Sequence, residues 1–140
     1  MRVLWAGGTE LEEGIVVIDE EVNLVTETVI AAAFEVSNVL GCGFLEKIYE
    51  RALEKELGLR GVRVERQVRY AVTYKGECLG EFAADLVVDG RVIVELKCVE
   101  RFANEHVAQG INYLKASGLG VALLLNFHRP KVEVKRIVDG

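Results

Sequence analysis

A nearly unbroken apolar run, Val121 to Phe127 (VALLLNF), constrains this chain more than any other stretch. A half-buried strand alternates apolar and polar residues; this run does not. It reads as a strand covered on both faces, the habit of parallel sheets. A parallel strand needs a crossover connection, and the preceding residues supply one. Residues 103–117 (ANEHVAQGINYLKAS) carry Val107, Ile111 and Leu114 at helical spacing, and Gly118 and Gly120 stop the pattern. Residues 91–97 have strand character. Strand, helix and strand therefore form one right-handed crossover unit.

The remaining segments fit around that unit. From Asn23 a helical pattern places Leu24, Thr28, Ala31, Ala32, Glu35, Val36 and Val39 on one stripe, ending at Gly41 and Gly43. A second helix spans about 44–57, with Leu45, Ile48, Tyr49, Ala52, Leu53 and Leu57 facing inward. Strands follow at 67–74 and 79–88, joined by a turn at Lys75-Gly76-Glu77. Asp89-Gly90 turns into the strand at 91–97, completing an antiparallel meander. A last strand, 131–138, places Val132, Val134 and Arg136 on one side. The order α-α-β-β-β-α-β-β predicts an α/β fold: a mixed five-stranded sheet flanked by helices.

At 140 residues, 51% of them hydrophobic, the chain suits one domain with a substantial core. No apolar run reaches the ~18 residues of a membrane span, and the start lacks a secretory pattern, so the expected compartment is cytoplasmic. Cys42, Cys78 and Cys98 show no CxxC spacing, suggesting neither disulfides nor zinc, and are expected to be small buried residues. The net charge of −5 is concentrated at the start. Of 22 acidic and 17 basic residues, six acids and one base precede Leu24, leaving 16 of each. Residues 1–22 thus form an acidic leader, read as partly disordered, although GIVVID has the composition of an edge strand; residues 23–140 form the domain. Arg60, Arg63, Arg66 and Arg69 make one basic group, and Arg129, Lys131, Lys135 and Arg136 a second. Either suits a phosphate backbone, but a solvated charged face is the commoner meaning.

The stretch FAADLVVDGRVIVELK, residues 82–97, is apolar except for a few charges, among them Asp85, Glu95 and Lys97. Burying such groups costs several kcal/mol unless they are paired or bound to a metal. Ile93, Glu95 and Lys97 share one strand face. A two-residue Asp89-Gly90 loop pairs Asp85 with Val94 and turns it through the far side of the sheet. A three-residue loop with Gly90 left-handed, or a bulge, brings it beside Glu95 instead. In that case Glu95 can ligate a divalent cation, and Lys97 can orient a water or stabilise developing negative charge. A salt-bridge ladder on a half-exposed sheet is the bland alternative.

Asp85, nine intervening residues and Glu95-Leu96-Lys97 resemble the motif of the PD-(D/E)XK nuclease superfamily. GFLEKIY, residues 43–49, is similar to the signature of its GxxExxY group. The stretches AAFEVSNVLGCGFLEKIYE, VERQVRYAVTYKGECLGEFAADLVVDGRVIVELK, ANEHVAQGINYLKASG and LLLNF resemble that group in order, covering about residues 24–138.

The resemblance implies a restriction-endonuclease-like core and a metal-dependent nuclease. Asp85 and Glu95 match the metal-binding carboxylates and Lys97 the catalytic lysine. Glu46 matches a helix glutamate bordering the metal site, and Gln109 a helix glutamine supporting it. The implied cofactor is Mg²⁺, with Mn²⁺ as substitute. The implied partner is nucleic acid: DNA, with nothing in the sequence excluding RNA. A homodimer that grips a duplex is compatible with this size of nuclease, although no residue argues for one. Tyr49 reads as core, His106 equally as phosphate contact or ordinary surface residue, and His128 as loop. Three positions depart from the pattern: Ala84 replaces Pro, Ser37 replaces an expected His, and Cys42 an expected Pro. A catalytically inactive nucleic-acid-binding module with the same fold is the alternative reading.

Overall fold

A computed structural model describes residues 19–139 and the backbone of residues 2–5. Helix α1 (Glu20–Leu40) starts where the Asp19 carboxylate accepts the Glu21 N–H at 2.8 Å, and Glu20 and Glu21 suit the positive end of its dipole. It stops at Gly41, whose left-handed φ of 68° few other residues tolerate. Helix α2 (Glu46–Leu59) follows. The strands are β1 (Arg2–Trp5), β2 (Val64–Tyr74), β3 (Glu77–Val88), β4 (Val92–Lys97), β5 (Val121–Asn126) and β6 (Glu133–Val138), with α3 (Asn104–Ser117) between β4 and β5.

The strands form one sheet in the order β1-β6-β5-β4-β3-β2. β4 and β5 are parallel, as the crossover predicts, and every other neighbouring pair is antiparallel. The five expected strands are all present. The sixth, β1, comes from the leader and pairs with β6. GIVVID, apart from Asp19, lies outside the described residues. Every residue of β5 is buried, so its run is covered on both sides. One face packs Leu86, Val88, Val92, Val94, Leu96, Leu123 and Leu125 against α1 and α2. The other packs Val87, Ile93, Ala122, Leu124 and Ile137 against α3. The helix approaches β6 most closely at Gly110, where an added Cβ lies 2.5 Å from Ile137 Cδ1. Among the described residues no helix is long and apolar enough to cross a membrane.

The buried stripe of α1 differs from the expected one. Its buried residues are Thr26, Val29, Ala32, Ala33, Val36 and Ser37, while Leu24 and Val39 are 63% and 72% exposed. Glu20, Glu21, Glu27, Glu35 and Asn38 gather on the exposed side, and the expected stripe, which passes through Thr28 and Glu35, runs along the flank of that polar side rather than opposite it. The face that packs is the one whose small residues permit close approach. On α2, Tyr49, Leu53 and Leu57 are buried as expected, but Leu45 and Ile48 face outward at the entry to the helix. The expectation of three buried cysteines also fails: Cys42 and Cys78 are exposed on a loop and near a hairpin tip, and only Cys98 is partly covered.

Candidate active site

The site begins where the sheet forks. The β3–β4 ladder pairs Val88 with Val92, Val87 with Ile93 and Leu86 with Val94. This is the three-residue connection: Asp89 and Gly90 are both left-handed, at φ 54° and 64°, and the Arg91 N–H donates to Val88 O at 3.0 Å. The next step of this register sets Asp85 opposite Glu95. There the backbone ladder ends and side chains continue it. The Leu96 N–H donates to Asp85 Oδ2 at 2.9 Å, and the Asp85 N–H donates to Glu95 Oε1 at 3.2 Å. Beyond this point β3 stays with β2, and the two leave the sheet as an arm. Its inner face changes partner at the fork: Leu86 and Val88 pack toward α1 and α2, whereas Ala84 joins the α3 side and Phe82 stacks on Tyr113 of α3.

Across the fork, Gln67 of β2 stands between the pairs Arg66–Leu86 and Val68–Ala84, facing Asp85 in register. Its φ is 51°, a left-handed conformation rare for a residue with a side chain. Its amide nitrogen donates to Glu50 Oε1 at 3.0 Å and lies 3.5 Å from Asp85 Oδ1. Glu50, buried on α2, also pairs with Arg66 at 3.4 Å. The Asp85 carboxylate is therefore held on one oxygen by the Leu96 N–H and approached on the other by Gln67.

Glu95 lies at the buried end of the cluster. Desolvation pushes its carboxyl from 4.5 up to about 9, aided by the Asp85 charge and a hydrogen bond shared with Asp85, against the Asp85 N–H and Lys97. Lys97, on the same strand face, donates to Gln109 Oε1 of α3 at 3.0 Å. Glu46 occupies the first turn of α2. It stays largely exposed, yet partial desolvation and the Asp85 charge raise its carboxyl, while Lys97 and the Cys98 N–H oppose the rise. Burial, then Glu95 and Asp85, push the Tyr113 hydroxyl up to about 12. Five residues singled out by sequence thus feel one another's charge or share hydrogen bonds around the fork.

The GFLEKIY stretch explains how Glu46 is placed. Gly41 and Gly43, at φ 68° and 107°, turn the chain between α1 and α2. The Tyr49 hydroxyl donates to Gly41 O at 2.7 Å and accepts the Phe44 N–H at 3.3 Å, and its ring stacks on Phe127 at 4.7 Å. Tyr49 is core, pinning the loop that delivers Glu46.

Other expected participants have structural partners. His106 Nδ1 accepts the Ala103 N–H at 2.8 Å, capping α3. His128 is exposed in the β5–β6 loop. Ser37 is buried and holds that loop: its hydroxyl donates to Pro130 O at 2.8 Å and accepts the Val132 N–H at 3.0 Å. In the basic groups, Arg60 pairs with Glu56, Lys131 lies over the Phe34 ring, Lys135 over Phe102, and Arg136 donates to Asn23. Much of that charge is spent on packing rather than gathered into one surface. Sequence reasoning missed Gln67, Glu50, Tyr113 and Asn126. Asn126 sits in the apolar run, where its polarity was the available signal. It accepts the Val99 N–H at 3.1 Å and donates to Val99 O at 2.7 Å, carrying β4's pairing past its end.

Among the described residues, no cluster of three or more His, Cys, Asp or Glu side chains is tight enough to hold a metal ion alone. The Asp85–Glu95 pair nevertheless fits a divalent cation. Two carboxylates this close disfavour joint ionisation unless a proton or a cation sits between them. Mg²⁺ keeps several waters and takes only one or two protein carboxylates.

Neither the curated proteins nor the solved structures give a significant match to this sequence. The family model of the PD-(D/E)XK nuclease superfamily matches residues 23–137. That span runs from the first turn of α1 to the end of β6 and includes the whole fork. With its restriction-endonuclease-like α/β fold, the chain belongs to the PD-(D/E)XK nuclease superfamily, whose members are generally nucleases.

Proposed function

We propose that the protein is a metal-dependent nuclease that hydrolyses phosphodiester bonds in DNA, with RNA as a further substrate. The observation that carries this reading is the convergence of Asp85, Glu95 and Lys97 at the β3–β4 fork, supported by Gln67 and Gln109. Asp85 and Glu95 would hold Mg²⁺, or Mn²⁺ in its place, and the bound ion supplies Lewis acidity and an acidified water. Lys97 presents a cation to the charge that develops on the phosphate, and Gln109 fixes its ammonium. Glu46, exposed at the mouth, holds a water near the carboxylates. Gln67 sets the rotation of the Asp85 carboxylate. The cluster faces α3 and opens beside the arm, so substrate approaches from that side.

Incubating the parent and the Asp85→Ala and Lys97→Ala variants with labelled DNA and RNA, with and without Mg²⁺ or Mn²⁺, tests the reading. The expected result is cleavage by the parent that depends on the metal and is lost in both variants. Equal cleavage by all three proteins removes these residues from the mechanism. Metal-independent binding by the parent without turnover on any substrate identifies a binding module instead.

A further inference from the structure

The arm and α3 enclose a groove of about 770 Å³ that begins at the candidate site. The arm contributes Thr73 and Phe82; α3 contributes Gln109, Asn112, Tyr113 and Lys115. Gln109 is shared with the catalytic cluster, where it accepts from Lys97, so the groove and the site are continuous. At its base, Phe82 lies parallel to Tyr113 at 4.2 Å and against Tyr70 at 5.5 Å. This stack fixes the groove's width by tying the arm to α3.

We infer that this groove takes a single, unpaired nucleic-acid strand and leads it to the Asp85–Glu95–Lys97 cluster. The inference rests on the nuclease reading above and gives it a substrate form. Its first support is size: the volume falls within the ~300–1,000 Å³ of small-ligand clefts, enough for roughly one or two nucleotides and far too small for a duplex. Its second is chemistry. Gln109 and Asn112 offer amides that both donate and accept, and Thr73 a hydroxyl that does the same, which matches exposed base edges. Aromatic edges and small apolar side chains suit bases and sugars. The lining charges, Glu105 and Lys115, balance. In a duplex those base edges are paired or lie within the DNA grooves, out of reach of a cleft this narrow. An unpaired strand exposes the edges this groove can read.

The test is fluorescence anisotropy in EDTA with a labelled oligothymidylate and a blunt duplex, followed by cleavage assays with Mn²⁺ on both. Parent protein is compared with Ala108→Trp, which fills the groove from an exposed helix position, and with Asn112→Ala, which removes one amide; circular dichroism checks the fold. The expected result is at least tenfold tighter parent binding to the single strand, a tenfold or greater loss in Ala108→Trp, and a smaller loss in Asn112→Ala. Equal single-strand affinity in all three proteins, or no single-strand binding by the parent, overturns the inference. Duplex cleavage that Ala108→Trp leaves unchanged, with no preference for single strands, also overturns it while sparing the nuclease reading. Strand binding that Ala108→Trp abolishes, without cleavage by the parent, supports the groove and overturns the nuclease reading.

Discussion

The backbone N–H of Asp85 donates to the side chain of Glu95 at 3.2 Å, so the carboxyl of one strand occupies the place of a ladder carbonyl facing the other. This fixes Glu95 in a buried position with Asp85 as its neighbour, and its carboxyl is raised to about 9. A group raised in the folded state binds more protons folded than unfolded, so its stabilising contribution is full below the unfolded value and is lost as pH climbs to the folded one. Between about 4.5 and 9 the metal-free protein should therefore lose stability. Glu95→Gln removes this titration. In EDTA the variant should match the parent in acid and exceed it near pH 9 by on the order of 1–3 kcal/mol, read from urea midpoints.

The same proton competes with a metal. Mn²⁺ affinity of the parent, measured by titration calorimetry in buffers of different ionisation enthalpy, should rise with pH by up to about tenfold per unit over that window, with release of close to one proton. Glu95→Gln should lose both the affinity and the proton release.

Lys97 and Gln109 form a second pair. Lys97→Ala should lower turnover by about 10²–10³-fold, the usual cost of removing a group that stabilises transition-state charge. Gln109→Ala, which leaves the ammonium present but unanchored, should lower it by about tenfold, with Mn²⁺ affinity unchanged in both.

Gln67 adopts a left-handed backbone that costs roughly 1–2 kcal/mol for a residue with a Cβ. In an ordinary strand interior Ala is more stable than Gly. Here Gln67→Gly should be more stable than Gln67→Ala by about 1 kcal/mol, although both lose the amide contacts to Glu50 and Asp85. Both variants should bind Mn²⁺ more weakly than the parent. Thermal melts with and without the ion check both expectations.

Ser37→Ala strands the buried Val132 N–H and removes the donor from the part-buried Pro130 carbonyl. It should cost about 1–3 kcal/mol, seen in denaturant unfolding, without changing turnover on a folded sample. Loss of turnover at full stability would give Ser37 a part in the chemistry.

The crossover from β4 through α3 to β5 was legible because an apolar run of that length admits few environments. The strand positions of Asp85, Glu95 and Lys97 were legible too, given only the parity of one hairpin loop. Parity itself was not: Asp89-Gly90 with both residues left-handed serves a two-residue turn equally well, and only the pairing of Val88 with Val92, which leaves Arg91 in the turn, decides it. The face of α1 was misplaced because its three- and four-residue spacing admits a stripe through Thr28 and Glu35, although the acids Glu20, Glu27 and Glu35 mark the solvent side. Gln67 was unreadable for another reason. Its importance lies in a backbone conformation imposed by the strands beside it, which no residue type announces. β1 escaped notice because Arg2–Trp5 is too short to show a period.

From Ala71 to Glu81 every residue of the arm is exposed. Beyond Phe82, whose ring stacks on Tyr113, the hairpin tip therefore buries almost nothing, while the candidate site sits at the hairpin's root. Length and sequence at the tip are open to exchange at little thermodynamic cost, with no rebuilding of the Asp85–Glu95–Lys97 cluster.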